Sequence, residues 1–173
     1  MLGRRSALAF SALALAVMGL GCDAHRNVSP RPPRVELVVG FSRGGADELV
    51  ITGRAINRGG MRAYYQGTCV WTGGVYFEVL NARGDVVEPG PCTPVPLCLP
   101  APGTLDPGQE TSNRISFRGV LHDCEGDHAA ERGVYTVVAR FEWSPASSRE
   151  TGSIAETRSD FDWPLPPVLS KSP

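Results

Sequence analysis

Residues 134–143, VYTVVARFEW, decide the fold of this chain. Every second residue from 135 onward is apolar, which gives one uninterrupted face: Tyr135, Val137, Ala139, Phe141 and Trp143. The residues between them are mixed in character: Val134, Thr136, Val138, Arg140 and Glu142. A period of two is typical of a strand that buries one face, because successive side chains point to opposite sides of a sheet. The stretch therefore predicts a long strand of an antiparallel sheet.

The same alternation returns near the end of the chain, where apolar residues on one side oppose acids on the other: Phe161, Trp163 and Leu165 against Asp160 and Asp162. Shorter strand-like runs, separated by Gly, Pro and Asn, lie at 35–39, 48–56, 61–65, 75–80, 86–87 and 112–117. The segments 89–102, 118–132 and 144–156 are predicted as loops. About seven short strands without helical periodicity predict an all-β fold, an antiparallel immunoglobulin-like β-sandwich with Greek-key connections.

Tyr135 lies at the start of the penultimate strand, where immunoglobulin-like sandwiches carry a tyrosine corner. The turn Leu105-Asp106-Pro107-Gly108 comes one strand earlier, as that arrangement requires. The alternative is that Tyr135 is simply an aromatic residue of the core. Both interpretations keep the sandwich.

The N-terminus predicts export. Arg4 and Arg5 precede an uncharged apolar run, 6–20, which is too short for a permanent transmembrane helix. The sequence Gly19-Leu20-Gly21-Cys22 resembles the lipobox of bacterial lipoprotein signals, in which the cysteine thiol accepts a diacylglyceryl group. It departs from the usual pattern because leucine stands two residues before the cysteine. Ordinary cleavage after Gly21 is the alternative, and it would leave a secreted protein without lipid.

These features divide the chain into four segments: a lipoprotein signal peptide (1–21), a Pro-rich tether (22–33), one immunoglobulin-like domain (34–167) and a disordered tail (168–173). Lipidation at Cys22 would attach the domain to a membrane of the cell envelope, on its periplasmic face or outer surface. The membrane is then the first predicted partner.

The other four cysteines, Cys69, Cys92, Cys98 and Cys124, fit two disulfides in an oxidising compartment. Three pairings are possible. We expect Cys69–Cys92 and Cys98–Cys124, because each would close a segment locally. A zinc site is the rival interpretation, but no C-x-x-C pair is present and exported thiolates tend to oxidise.

Composition restricts the function. Removing residues 1–21 takes away two of 17 basic residues and none of the 18 acidic ones, so the exported chain has a net charge of about −3. A mildly acidic domain of this kind does not predict nucleic-acid binding. The sequence predicts no cofactor, since it has no glycine-rich phosphate loop before a helix.

One segment has residues suited to chemistry, His122-Asp123-Cys124-Glu125-Gly126-Asp127-His128. Its alternate acids could bind calcium, and its two histidines a transition metal, although it lacks the spacing of a full calcium loop. The alternative is a polar loop held by a disulfide. Catalysis is not predicted: no G-x-S-x-G elbow is present, and Cys124 is expected to form a disulfide rather than to act as a nucleophile.

Four further stretches resemble the domain of the BsuPI-type intracellular proteinase inhibitors, over most of 34–165. They are Ile56-Asn57-Arg58-Gly59, residues 79–84 (VLNARG), the Leu-x-Pro-Gly turn at 105–108, and residues 133–137 (GVYTV). The resemblance implies the immunoglobulin-like fold and, as an activity, protease inhibition. The namesake works inside the cell, whereas this chain has a leader and cysteines.

The expected function is therefore that of a non-catalytic binding module on an exported lipoprotein, with an unidentified protein or glycan partner. An aromatic cluster near Cys69 is one candidate contact surface: Tyr64, Tyr65, Trp71 and Tyr76. A protease inhibitor, and a metal-binding envelope protein acting through residues 122–128, are the alternatives.

Overall fold

The computed structural model describes residues 31–90, 92–93, 99–146 and 152–166. Within these ranges the chain forms strands and no helix. In chain order the strands are β1 (Val35–Gly45), β2 (Glu48–Asn57), β3 (Ala63–Gly67), β4 (Val75–Leu80), β5 (Val86–Glu88), β6 (Ala101–Leu105), β7 (Glu110–Phe117), β8 (Val120–His122), β9 (Asp127–Ala129), β10 (Gly133–Ser144) and β11 (Ser153–Trp163).

The strands form two facing antiparallel sheets and a separate hairpin. One sheet has the order β1-β2-β7. In the other, β10 pairs with β11 along one edge and with β4 along the other, and β5 lies outside β4. β3 pairs with the last residues of β10, on the same edge as β4, and β6 pairs with β3. The order β1-β2-β7 against β11-β10-β4 is that of strands A-B-E against G-F-C in immunoglobulin-like sandwiches, so the predicted all-β sandwich is confirmed.

The core lies between the sheets and is filled by the inward faces of the central strands. Its fully buried members include Ile51, Val75, Val79, Val137 and Phe141. The alternation read from residues 134–143 is confirmed, because Tyr135, Val137, Ala139 and Phe141 all belong to this core. Trp143 packs against its edge, half-buried.

Val138 is buried as well, although it points away from the core. Its cross-strand neighbours are Glu78 and Arg158, so charged side chains surround it on the outer face. Arg140 joins them, donating to Glu78 at 2.8 Å and to Glu156 at 2.9 Å. The outer face of this sheet is therefore an ion-pair network with an apolar centre.

Tyr135 forms a tyrosine corner, which confirms that prediction. Its hydroxyl donates to the backbone carbonyl of Glu131 at 2.9 Å, four residues upstream. The buried ring packs between Phe117 and Phe161, with centroid distances of 5.4 and 5.7 Å. Burial raises the pKa of the Tyr135 hydroxyl. The bond fixes the path of the chain as it enters β10.

Asn57 closes the opposite end of the sandwich. Its side chain is completely buried and donates to the carbonyls of Met61 (2.7 Å) and Leu105 (2.8 Å), while its Oδ1 accepts from the amide of Gly59 at 2.9 Å. Its backbone carbonyl accepts from Gly108 at 2.8 Å. Two of the stretches that carry the inhibitor resemblance, 56–59 and 105–108, are therefore joined in space by one amide group.

Several sequence predictions of element boundaries were wrong. β1 continues to Gly45, and β11 begins at Ser153 inside the predicted loop 144–156. The predicted loops also contain strands, namely β6 and the β8–β9 hairpin. β6 was missed because Ala-Pro-Gly has low strand propensity. It pairs with β3, and Gly103 suits its place there because the Tyr65 ring lies directly over it, where a side chain would collide.

The sandwich has two distinct ends. We call the end with Val35 and Asn57 the tether-side pole, because the chain joins the domain there: Arg31 accepts from Gly60 at 3.0 Å and Arg34 from Arg58 at 2.7 Å. We call the end with Gly45 and Phe117 the distal pole. The signal peptide, most of the tether and the tail 168–173 lie outside the described residues, and so do Cys22 and Cys98.

A candidate binding cleft at the distal pole

The β8–β9 hairpin projects from the distal pole. Gly119 begins it at a φ of 67°, beneath the Trp163 ring, which leaves no room for a side chain. The Gly119 carbonyl accepts from the Ala130 amide at 2.8 Å and closes the base of the hairpin. Leu121, the central residue of β8, is buried against the core. A single apolar residue thus fixes which face of the hairpin turns inward.

The turn of this hairpin is held by Asp123. Its Oδ1 accepts from the amides of Glu125 (2.8 Å) and Gly126 (3.0 Å), which is the usual way a short acid stabilises a turn. Each histidine that flanks the turn contacts a carboxylate: His122 contacts Asp127 of the facing strand at 2.6 Å, and His128 contacts Asp123 of the turn at 3.3 Å. Two contacts between a histidine and an aspartate therefore connect the two sides of the hairpin on its exposed face.

A disulfide joins the hairpin to the segment after β5. Cys124 pairs with Cys92, with the two Cα atoms 5.1 Å apart. Both expected pairings, Cys69–Cys92 and Cys98–Cys124, are therefore wrong. The expectation of local closure failed because the chain after β5 returns directly beside β8, although 32 residues separate the two cysteines. Cys69 is also disulfide-bonded.

Gly90 brings these two segments into contact. It is buried, and a Cβ at this position would collide with the His122 carbonyl. The end of β5 and the start of the hairpin therefore approach as closely as two backbones can. This contact and the disulfide together build one wall of a cleft.

The cleft is open to solvent and has a volume of about 510 Å³. It lies between the end of β5, the end of β7 and β8. Its lining combines charged, polar and apolar side chains: Glu88, Ser116, Phe117, Arg118, Val120 and His122. The sequence did not point to it, because its residues come from three separate strands.

Arg118 and Glu48 form an ion pair on one side of the cleft. The guanidinium donates from Nε and Nη2 to Glu48 Oε1, at 3.0 and 2.9 Å. The Ser116 hydroxyl also bonds to this carboxylate, and these bonds lower the pKa of Glu48. The positive charge of Arg118 is thus compensated within the protein.

His122 on the opposite side is compensated as well. Its hydrogen bond with Asp127, followed by the attraction between the two charges, raises the pKa of the imidazole. Both side chains remain more than half exposed. The pair is a surface feature, so its contribution to stability is small.

Glu88 is the exception among these charges. Its carboxyl is half-buried, and no hydrogen bond to it occurs within the part of the chain that the structure describes. Burial raises its pKa, against a smaller opposing effect of His122. The cleft therefore contains one carboxylate that has lost part of its water and has no strong partner.

The metal-site interpretation of residues 122–128 has no support from this geometry. Across the described ranges, no group of three or more His, Cys, Asp and Glu side chains is arranged to hold a metal ion. Cys124 is in a disulfide, and each histidine has a carboxylate partner instead.

The acidic face of the last strand also has a structural role, because the carboxylate of Asp160 accepts a hydrogen bond from the Thr136 hydroxyl at 2.7 Å.

The aromatic cluster near Cys69 serves mainly the core. Tyr65 packs against Phe141 with a centroid distance of 5.2 Å, and Trp71 against Phe77 at 5.5 Å. The Tyr76 hydroxyl donates to the Gln66 carbonyl at 3.0 Å. These side chains are half-buried and fixed by neighbours, so they are poor candidates for a contact surface.

Comparisons with known proteins do not place the chain in a family. No family model matches it, and no curated protein does. Similar solved structures include a β-glucosidase from Listeria innocua in complex with glucose (9% identity, TM-score 0.35) and a β-glucosidase from Kluyveromyces marxianus (18% identity, TM-score 0.34). The matches cover 73% and 76% of this chain but only 16% and 14% of those enzymes. In the described residues, no helix is long and apolar enough to cross a membrane.

Proposed function

We propose that this protein is an exported, lipid-anchored binding module that presents the distal cleft to a partner at the cell envelope. The observation that carries the proposal is the position of the cleft. The chain joins the sandwich at the tether-side pole, through Arg31 and Arg34, whereas the cleft lies at the other end. β1 spans about 33 Å between the poles at the usual rise per residue. An anchor at Cys22 would leave the cleft facing away from the membrane.

The disulfides support export. The Cys92–Cys124 bond belongs to an oxidising compartment, and Cys69 is bonded too. The lipobox-like sequence before Cys22 favours that cysteine as the one that is acylated.

Mass spectrometry of the native N-terminus tests the anchor. We expect the chain to begin at Cys22 with the added mass of acyl groups, and Cys22→Ser to release the protein from the membrane fraction. An unmodified N-terminus, or a Cys22→Ser protein that stays with the membrane, would contradict the proposal.

A binding role rather than catalysis is supported by how the polar groups of the cleft are used. Ser116 lies beside the Glu48 carboxylate, whose pKa it helps to lower, and no hydrogen bond joins its hydroxyl to His122 in the part of the chain that the structure describes. Arg118 and His122 are each held by a carboxylate. The arrangement offers a shaped surface with one free charge.

Protease inhibition has less support. The matching residues 56–59 and 105–108 make the contacts around Asn57, and residues 133–137 contain the tyrosine corner. These contacts build the fold and need no protease to explain them. Assays against serine, cysteine and metalloproteases with the purified protein decide the matter. Inhibition at micromolar concentration would favour the inhibitor over the module proposed above.

A further inference from the structure

We infer that the distal cleft binds an arginine side chain of a protein partner, with its guanidinium against Glu88 and its methylene stem against Val120, above the buried Phe117. This inference deepens the proposed function, since it names the chemistry that the binding module recognises.

The charges of the cleft favour a cation. Glu88 is the carboxylate in its lining, beside the basic side chains of Arg118 and His122. Arg118 is compensated by two hydrogen bonds to Glu48, and His122 by Asp127. The remaining negative charge lies on Glu88. A ligand of complementary charge is therefore positive.

The surroundings of Glu88 favour a cation that enters at little cost. Its carboxylate has already lost part of its hydration, as the upward shift of its pKa by burial indicates. A guanidinium is more weakly hydrated than an ammonium and can donate two parallel hydrogen bonds to a carboxylate. Arginine therefore fits this position better than lysine.

The apolar part of the lining fits the stem of such a side chain. Phe117 lies at the bottom of the cleft, where it is only 2% exposed, and its ring packs perpendicular to that of Trp163 at a centroid distance of 5.1 Å. Val120 forms the adjoining wall and is 43% exposed, although valine is normally buried. The methylene groups of arginine commonly pack along apolar surface of this kind.

The wall that carries Glu88 is preorganised. The Gly90 backbone rests against the His122 carbonyl, and the Cys92–Cys124 bond holds the hairpin beside β5. Little ordering of the protein would therefore accompany binding, which improves affinity.

The test uses the exported chain carrying Cys22→Ser, purified with its disulfides intact. The probes are N-acetyl-arginine N-methylamide and the matching citrulline compound, which has the same shape without the charge. We expect the arginine probe to shift the amide resonances of residues 116–122, with a dissociation constant on the order of millimolar for a single side chain. We expect the citrulline probe to bind at least about tenfold more weakly.

Two variants locate the site. Glu88→Gln keeps the shape of the side chain and should weaken the arginine probe about tenfold. Asp85→Asn removes a carboxylate from the neighbouring exposed hairpin, outside the cleft, and should leave binding unchanged. The amide spectra of both variants report whether the fold is intact.

Equal binding of the two probes, equal binding by Glu88→Gln, or no shift at these amides up to about 50 mM probe would overturn the inference. Tighter binding of free spermidine than of the arginine probe would also overturn it, since the site would then select a small polyamine. None of these results bears on the acylation of Cys22, so the proposed lipid anchor and the proposed arginine ligand are tested independently.

Discussion

The two poles of this sandwich are stabilised in different ways. At the tether-side pole one completely buried amide, that of Asn57, connects the β2–β3 loop to the end of β6 through three hydrogen bonds. At the distal pole largely exposed charges and one half-buried carboxylate, that of Glu88, surround a cleft, and a disulfide holds its wall. A buried polar group must have its partners, whereas a covalent bond can hold a solvated surface in place. The first arrangement suits structure and the second leaves side chains free to bind.

Removing the distal disulfide should have the largest effect. Replacing Cys92 and Cys124 together by alanine frees a loop of 32 residues in the unfolded chain and should lower the free energy of unfolding by about 3–4 kcal/mol. Denaturation in urea measures the loss. Hydrogen exchange should increase first in residues 119–130. An equal increase in hydrogen exchange at both poles would mean that the disulfide does not stabilise the distal pole in particular.

Asn57→Ala tests the other pole. The substitution leaves the carbonyls of Met61 and Leu105 and the amide of Gly59 without their bonds, so we expect a loss of about 3 kcal/mol.

Asn81→Ala is the matched control for that substitution. Asn81 also makes three side-chain hydrogen bonds, to the amides of Arg83 and Asp85 and to the Asp85 carboxylate, but in an exposed hairpin. Water replaces these bonds, so the loss should stay below about 1 kcal/mol. Similar losses for the two variants, measured by urea denaturation, would mean that burial does not distinguish them.

Tyr135→Phe should have an intermediate effect of about 1 kcal/mol, because it removes only the hydroxyl and its bond to Glu131. Thermal denaturation measures the loss. The exchange rate of the amides in residues 131–135 should rise, while the ring contacts with Phe117 and Phe161 persist. An unchanged melting temperature would show that the corner does not contribute to stability.

The pH response of His122 should be the smallest effect. Its pKa is raised in the folded protein, so the pair with Asp127 stabilises the fold below the pKa of the unfolded chain, and this is lost as pH rises through the folded pKa. Titration of the imidazole by NMR should give a pKa above the ordinary histidine value, and Asp127→Asn should lower it. Identical titration curves would contradict the pairing.

The sequence predicts the regular half of this molecule well. The alternation in residues 134–143 identifies the central strand and its buried face, and Tyr135 indicates the corner, because both depend on local patterns of side chains. The fold class follows from them.

The cleft could not be predicted in the same way. The β8–β9 hairpin that borders it is short and mostly polar, so it lacks the alternating apolar pattern of a buried strand. The Cys92–Cys124 pairing depends on the return of the chain after β5, which no local pattern encodes. Glu88 lies in an ordinary strand sequence, and the raised pKa of its carboxyl comes only from the way the surrounding residues bury it.

The ten paired positions between β1 and β2 have a mechanical consequence. The chain enters β1 at the tether-side pole, and a partner bound in the cleft would pull from the distal pole. Such a load runs along the strands and shears many backbone hydrogen bonds at once, instead of opening them one after another. With the proposed anchor at Cys22, a domain held in this orientation would resist extension between the membrane and a partner bound in the cleft.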